Sequence, residues 1–162
     1  MNKTKGGEKM AEPIIVEPAE MKNYLGKELG VSDWVEVTQE KINLFADATG
    51  DHQWIHTDPE KAKQLSPYGT TIAHGYWTIS LAPMLLSQII IPKGIKMAIN
   101  YGINRLRLPN AVKVNSKVRM RAELVNLEEV PGGYQGIFKL TFEIEGEEKP
   151  ACVAEVVYRY YV

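Results

Sequence analysis

One cysteine, three histidines and a net charge of −1 are spread over 162 residues, and each scarcity closes off a class of protein. A single thiol, Cys152, cannot make an internal disulfide, so the fold must rest on its core and the chain suits a reducing, cytoplasmic compartment. Cys152 lies in an alternating apolar stretch, which predicts an inert buried thiol rather than a nucleophile. The near-zero charge leaves no basic footprint for nucleic acid. No apolar run approaches the roughly 20 residues of a membrane-spanning helix, so neither nucleic acid nor membrane is an expected partner. The opening MNKTKGGEKMAEP is basic at its start but lacks the apolar segment of a secretory signal. Residues 1–12 read as a mobile tail and residues 13–162 as a single domain. Internal repeats and low-complexity segments are absent.

What is present is a globular composition, 44% hydrophobic and 24% charged, long enough to bury a core without metals or crosslinks. Pro18 and Gly30 bracket a predicted short helix over 18–30. VSDWVEVT (31–38) alternates and reads as a strand or an extended lead-in. Thr38 is placed to cap a helix in which Ile42, Phe45, Ala46 and Thr49 share a face, and Gly50 is placed to end it. DHQWIHT follows as a loop, and Asp58–Pro59 opens another short helix. IAHGYWTISLAPMLLSQIII is apolar on all sides, which predicts a helix buried all round, kinked or poorly bonded at Pro83. Four strands complete the chain. The first, 96–109, should bend at Gly102. In the second, Val118, Met120, Ala122 and Leu124 share a face, as do Phe138, Leu140, Phe142 and Ile144 in the third. The fourth is β-branched and aromatic. Strands contiguous in sequence favour an antiparallel sheet, so the expected class is α+β, with a curved antiparallel sheet wrapped around one buried helix.

Two loops carry groups able to do chemistry. In ATGDHQWIHTDP, Asp51 and His56 lie between a helix stop and a helix start. A carboxylate and an imidazole held this way can share the proton transfers that add water to an activated double bond. The spacing alone is unspecific and is matched by a plain capping or solvent-facing role. His52 and His56 have the i, i+4 spacing of a metal pair, but Gly50 and Pro59 oppose a helix there, so no metal is expected. In YGTTIAHGYWTIS, Gly75 stands at the probable helix start. Its N–H is a candidate donor to a thioester carbonyl, and tight packing is the plainer reading. His74 reads as structural before it reads as a substrate contact. Ser80 is placed either to bond a backbone carbonyl or to point into a pocket.

The stretch FADATGDHQWIHTDPEKAKQLSPYGTTIAHGYWTISL resembles the hydratase-2 signature of the MaoC-like family, the R-specific enoyl-CoA hydratases. Phe45, Ala46, Thr49, Gly50, Asp51, His56 and Asp58 match its first block. Gly69, Ile72, Ala73, His74, Gly75, Thr78, Ser80 and Leu81 match the rest. INYGINRLRLP and KPACVAEVVYRY resemble the nodulation-protein-N-like single-hot-dog subgroup. The resemblance, over about residues 31–162, implies a hot-dog fold. It also implies cofactor-free, reversible hydration of trans-2-enoyl-CoA to (R)-3-hydroxyacyl-CoA. Asp51 and His56 would hold the water, Gly75 would supply the oxyanion hole, and Ser80, His74, Tyr76, Asn104 and Arg105 would be substrate-binding candidates. The substrate would be a thioester of CoA or acyl carrier protein, and the protein a homodimer. A thioesterase and a non-catalytic acyl-thioester-binding subunit are the alternatives. His52, Gln53 and Trp54 depart from the Asn-Pro-type residues usual after the aspartate, and Tyr76 and Trp77 are bulky beside Gly75.

Overall fold

The computed structural model describes residues 11–162; residues 1–10 of the expected tail lie outside the described residues. A short strand, β1 (Ile14–Val16), is followed by a 3-10 turn over Pro18–Tyr24 and by β2 (Glu28–Val31). The helix predicted over 18–30 therefore ends early. Gly26 takes a left-handed φ of 71°, and its N–H donates to Leu124 O at 2.8 Å. Pairing with a free sheet edge here outweighs helix propensity. β3 (Val35–Glu36) is only two residues long and also lies on that edge.

β5 (Met97–Arg107), β6 (Lys117–Val130), β7 (Gly133–Ile144) and β8 (Cys152–Tyr161) are the four predicted strands. The main sheet runs β2-β6-β7-β8-β5, with β3 also on β6, and all its pairings are antiparallel. β5 is irregular between Asn100 and Gly102 and again between Ile103 and Arg105, the first where Gly102 predicts a bend. The alternating faces fall as their period requires. Met120 stands opposite Phe142, Ala122 opposite Leu140 and Leu124 opposite Phe138, and all six are buried. Each large side chain buried this way contributes about 1.5–3 kcal/mol. Cys152, opposite Phe142, is buried, and burial pushes its thiol up to about 12.

The central apolar segment is helical in two pieces, α4 (Gly75–Ser80) and α5 (Ala82–Ser87), which pack on the sheet. The break falls at Leu81, just before Pro83, whose ring and missing N–H disfavour an unbroken ladder. Beyond α5 the chain enters β4 (Ile90–Pro92), which pairs in parallel with β1. Leu85 and Leu86 face the core, but Tyr76 and Met84 are exposed, so the helical segment is not buried all round. A curved antiparallel sheet holding these helices is the hot-dog fold. The remaining helices, α1 (Gln39–Thr49), α2 (Trp54–Thr57) and α3 (Pro59–Leu65), carry the first of the two chemical loops.

Candidate active site

The loop that carries Asp51 and His56 is set by its ends. Thr38 accepts from Lys41 N at 3.2 Å and starts α1. Gly50, at φ 80°, ends it and donates to Ala46 O at 2.8 Å. A left-handed residue here turns the chain away from the helix axis, so Asp51 leaves α1 sideways. Its Oδ1 then accepts from Gln53 N at 3.3 Å. The predicted loop holds one helical turn, α2, and His56 sits on it. Asp58 closes that turn and caps α3 through Lys61 N at 3.0 Å.

His56 is 7% exposed. Its Nδ1 lies 2.7 Å from the main-chain carbonyl oxygen of Ile72. A carbonyl oxygen only accepts, so the proton of the neutral ring is on Nδ1 and the lone pair is on Nε2. Burial is the largest influence on this ring and lowers its pKa below 6.5; the Ile72 hydrogen bond and the nearby Asp51 act in the opposite sense. The buried imidazole is therefore neutral near pH 7, with its basic nitrogen free.

His74, 3% exposed, stacks on His56 with ring centroids 3.9 Å apart. Its Nε2 donates to the main-chain oxygen of Asp51 at 2.9 Å and lies 3.9 Å from that residue's carboxylate. Its buried Nδ1 has no hydrogen-bond partner among the described residues. His74 thus touches both members of the pair. One donor atom from each of Asp51, His56 and His74 falls within 4.8 Å of the others. A separation of this size suits a water held between a carboxylate and a ring nitrogen.

Beside His56 opens a cavity of about 250 Å³, lined by Gly75, Thr78, Tyr68, Leu108 and Asn110 among others. Gly75 is the first residue of α4, so its N–H has no intrahelical acceptor. A methyl group at Gly75 would collide with the Leu108 side chain, so close packing around this glycine involves Leu108. Thus His56 and the first residue of α4 line one cavity.

A family model described as a MaoC like domain matches residues 20–138. The chain belongs to the MaoC-like family. It is 52% identical over 143 residues to the 3-hydroxyacyl-thioester dehydratase Z of Mycobacterium tuberculosis, covering 88% of this chain and 94% of that one. It is 41% identical over 143 residues to nodulation protein N of Rhizobium leguminosarum, covering 84% and 86%. Among solved structures, the unliganded R-hydratase of Pseudomonas aeruginosa superposes with a TM-score of 0.68 at 19% identity, over 85% of this chain and 81% of that one. The (R)-hydratase of A. caviae does so with 0.64 at 24%, over 80% and 96%. At such identities these two likenesses carry the hot-dog fold alone.

The MaoC-like signature residues are not all gathered in one place. Asp51, His56, His74 and Gly75 cluster around the stacked rings and the cavity beside them. Ser80 lies elsewhere, in a groove of about 260 Å³ between the helices and β5, lined also by Pro83, Ile103 and Tyr158. Its hydroxyl donates to Tyr76 O at 2.6 Å. The Tyr76 side chain is exposed. Asn104 donates to Glu155 at 2.9 Å, and Arg105 is exposed opposite Glu155 in the β5–β8 register. Sequence reasoning missed the Ile72 carbonyl, because a backbone acceptor leaves no mark on residue type. It also missed Gln39 and Thr71, which meet from 32 positions apart, and Leu108.

Proposed function

We propose that this MaoC-like protein hydrates the double bond of a trans-2-enoyl thioester to an (R)-3-hydroxyacyl thioester, and runs the reverse dehydration, without a cofactor. The observation that carries the proposal is the His56 ring: its Nδ1 is bonded to the Ile72 carbonyl so that Nε2 keeps the lone pair, a ring nitrogen lies within 4.8 Å of an Asp51 carboxylate oxygen, and the residue lines one cavity with Gly75. The thioester carbonyl accepts from Gly75 N–H, which stabilises the enolate oxygen as it forms. Asp51 accepts one O–H of a water and orients it. Nε2 takes the other proton while the water oxygen bonds to the β-carbon. The imidazolium then returns a proton to the α-carbon, and the enolate collapses to the carbonyl. Hydroxyl and proton arrive from one face, so addition is syn, and Asp51 offsets the transient positive charge on His56. The groove that holds Ser80 would be further room along the same helix for substrate.

The 52% identity to a 3-hydroxyacyl-thioester dehydratase supports the same chemistry. The test is loss of crotonyl-CoA absorbance with the purified chain, alongside a free-thiol assay for CoA release. Absorbance loss without thiol release is expected; thiol release instead would mean a thioesterase, and neither signal a binding subunit. Asp51→Asn and His56→Ala should each lower turnover by about 10² or more with the fold intact. Near-parental turnover in either variant would sink the assignment.

We also propose a homodimer formed along β5. Among the described residues this eleven-residue strand ends the sheet and pairs only with β8, and it leaves Tyr101 53% and Ile103 49% exposed. A long apolar edge invites another strand.

A further inference from the structure

We infer that Gln39 is a positioning residue for the His56 imidazole, an inference that rests on the hydratase reading of that ring. α2, which carries His56, is four residues long, far below the roughly 12–15 residues at which helices begin to hold themselves in water. Its geometry must come from outside. Ile72 N donates to Ile55 O at 3.0 Å, and His56 Nδ1 donates to Ile72 O at 2.7 Å. Gln39, on the first turn of α1, ties down both sides of that second bond. Its Nε2 donates to the main-chain oxygen of His56 at 2.7 Å and to Asn43 Oδ1 at 2.9 Å. Its Oε1 accepts from the hydroxyl of Thr71 at 2.5 Å.

Both N–H bonds and one acceptor site of the amide are therefore in use. Its orientation is also fixed. Turning it over would set Oε1 against the His56 carbonyl oxygen, acceptor against acceptor. Thr71 is fully buried and precedes Ile72, the residue whose carbonyl selects the His56 tautomer. One side chain thus spans from the backbone bearing the ring to the residue beside the ring's acceptor. Without it, the 2.7 Å bond that keeps the Nε2 lone pair available loses a side-chain tie on each of its sides. The sequence offers no hint, since Gln39 precedes His56 by 17 positions and Thr71 by 32.

The test uses the full chain with Gln39→Leu, which keeps bulk but makes none of the bonds. Thr71→Val cuts the clamp from the other side. Readouts are kcat and KM for crotonyl-CoA hydration, thermal melting, and the ring 15N shifts of His56, which report the tautomer without any substrate. Gln39→Leu should lower kcat about tenfold, as small displacements of catalytic groups do. KM should stay within about twofold, and the 15N shifts should move toward a mixture of tautomers. Thr71→Val should act in the same direction, and it decides the matter if the leucine variant does not fold. Unchanged 15N shifts, a kcat within twofold of the parent, or an effect confined to KM or melting would each overturn the inference. Failure of the parent enzyme on enoyl thioesters would instead count against the hydratase reading, leaving the tautomer measurement to decide Gln39.

Discussion

At the scale of single residues, the deciding contact is between a histidine and a peptide carbonyl. Ile72 contributes no side-chain chemistry, yet its oxygen determines which nitrogen of His56 is basic. Burial, the dominant influence, holds this ring's pKa below 6.5, and two consequences share a sign. The folded protein keeps His56 neutral at pH values where a free imidazole begins to protonate, so kcat/KM should stay flat to below pH 6.5 before its acid limb begins. The unfolded chain binds that proton more readily. His56 therefore contributes stability that is complete above about pH 6.5 and is lost as pH falls toward the folded pKa. A kcat/KM–pH profile checks the first. Melting curves of the parent and His56→Ala between pH 5 and 7 check the second, and the variant should show the shallower fall. A parental acid limb centred above 6.5 would mean that the neutral ring is not the working base.

At the scale of elements, α4 matters for where it starts. Its first residue combines an N–H without an intrahelical acceptor, a cavity and a neighbouring leucine. Gly75→Ala should leave the melting temperature nearly unchanged, because the colliding atom is the end of the flexible, part-exposed Leu108 side chain. Hydration should fall by at least about tenfold, since the added methyl crowds the donor proposed for the carbonyl. Paired melts and rates test this, and an active Gly75→Ala enzyme would remove Gly75 from the oxyanion site. Legibility in the sequence follows element type. β6 and β7 are readable because a period of two over ten or more residues leaves little choice, β8 from its β-branched and aromatic residues, and α1 from Thr38 and Gly50. The turn carrying His56 was not, because four residues hold no periodicity and their bonds go to distant partners. The 18–30 segment misled because Pro18 does open a helical turn, while the strand that follows owes its form to β6. His74 was named, but its stacking on His56 and its bond to the Asp51 main chain are three-dimensional facts.

At the scale of the molecule, a groove lined by Ser80, Pro83 and Ile103 sets the helices beside β5. Tyr76 and Met84 on the helices and Tyr101 and Ile103 on β5 are uncovered in the single chain, although the apolar segment around Pro83 reads as buried on every side. A second chain along β5 would reconcile the two. Sedimentation should give twice the 18.2 kDa chain mass, and Ile103→Lys should shift the distribution toward one chain by placing charge on that edge. A parent sedimenting as a single chain would rule the assembly out. The sheet also hides the sole sulfhydryl, at the start of β8 with 0% exposure. A maleimide or disulfide reagent therefore meets nothing to modify until β7 and β8 separate. Labelling rate becomes a clock for global opening, and it tells a variant that has lost its chemistry from one that has lost its shape.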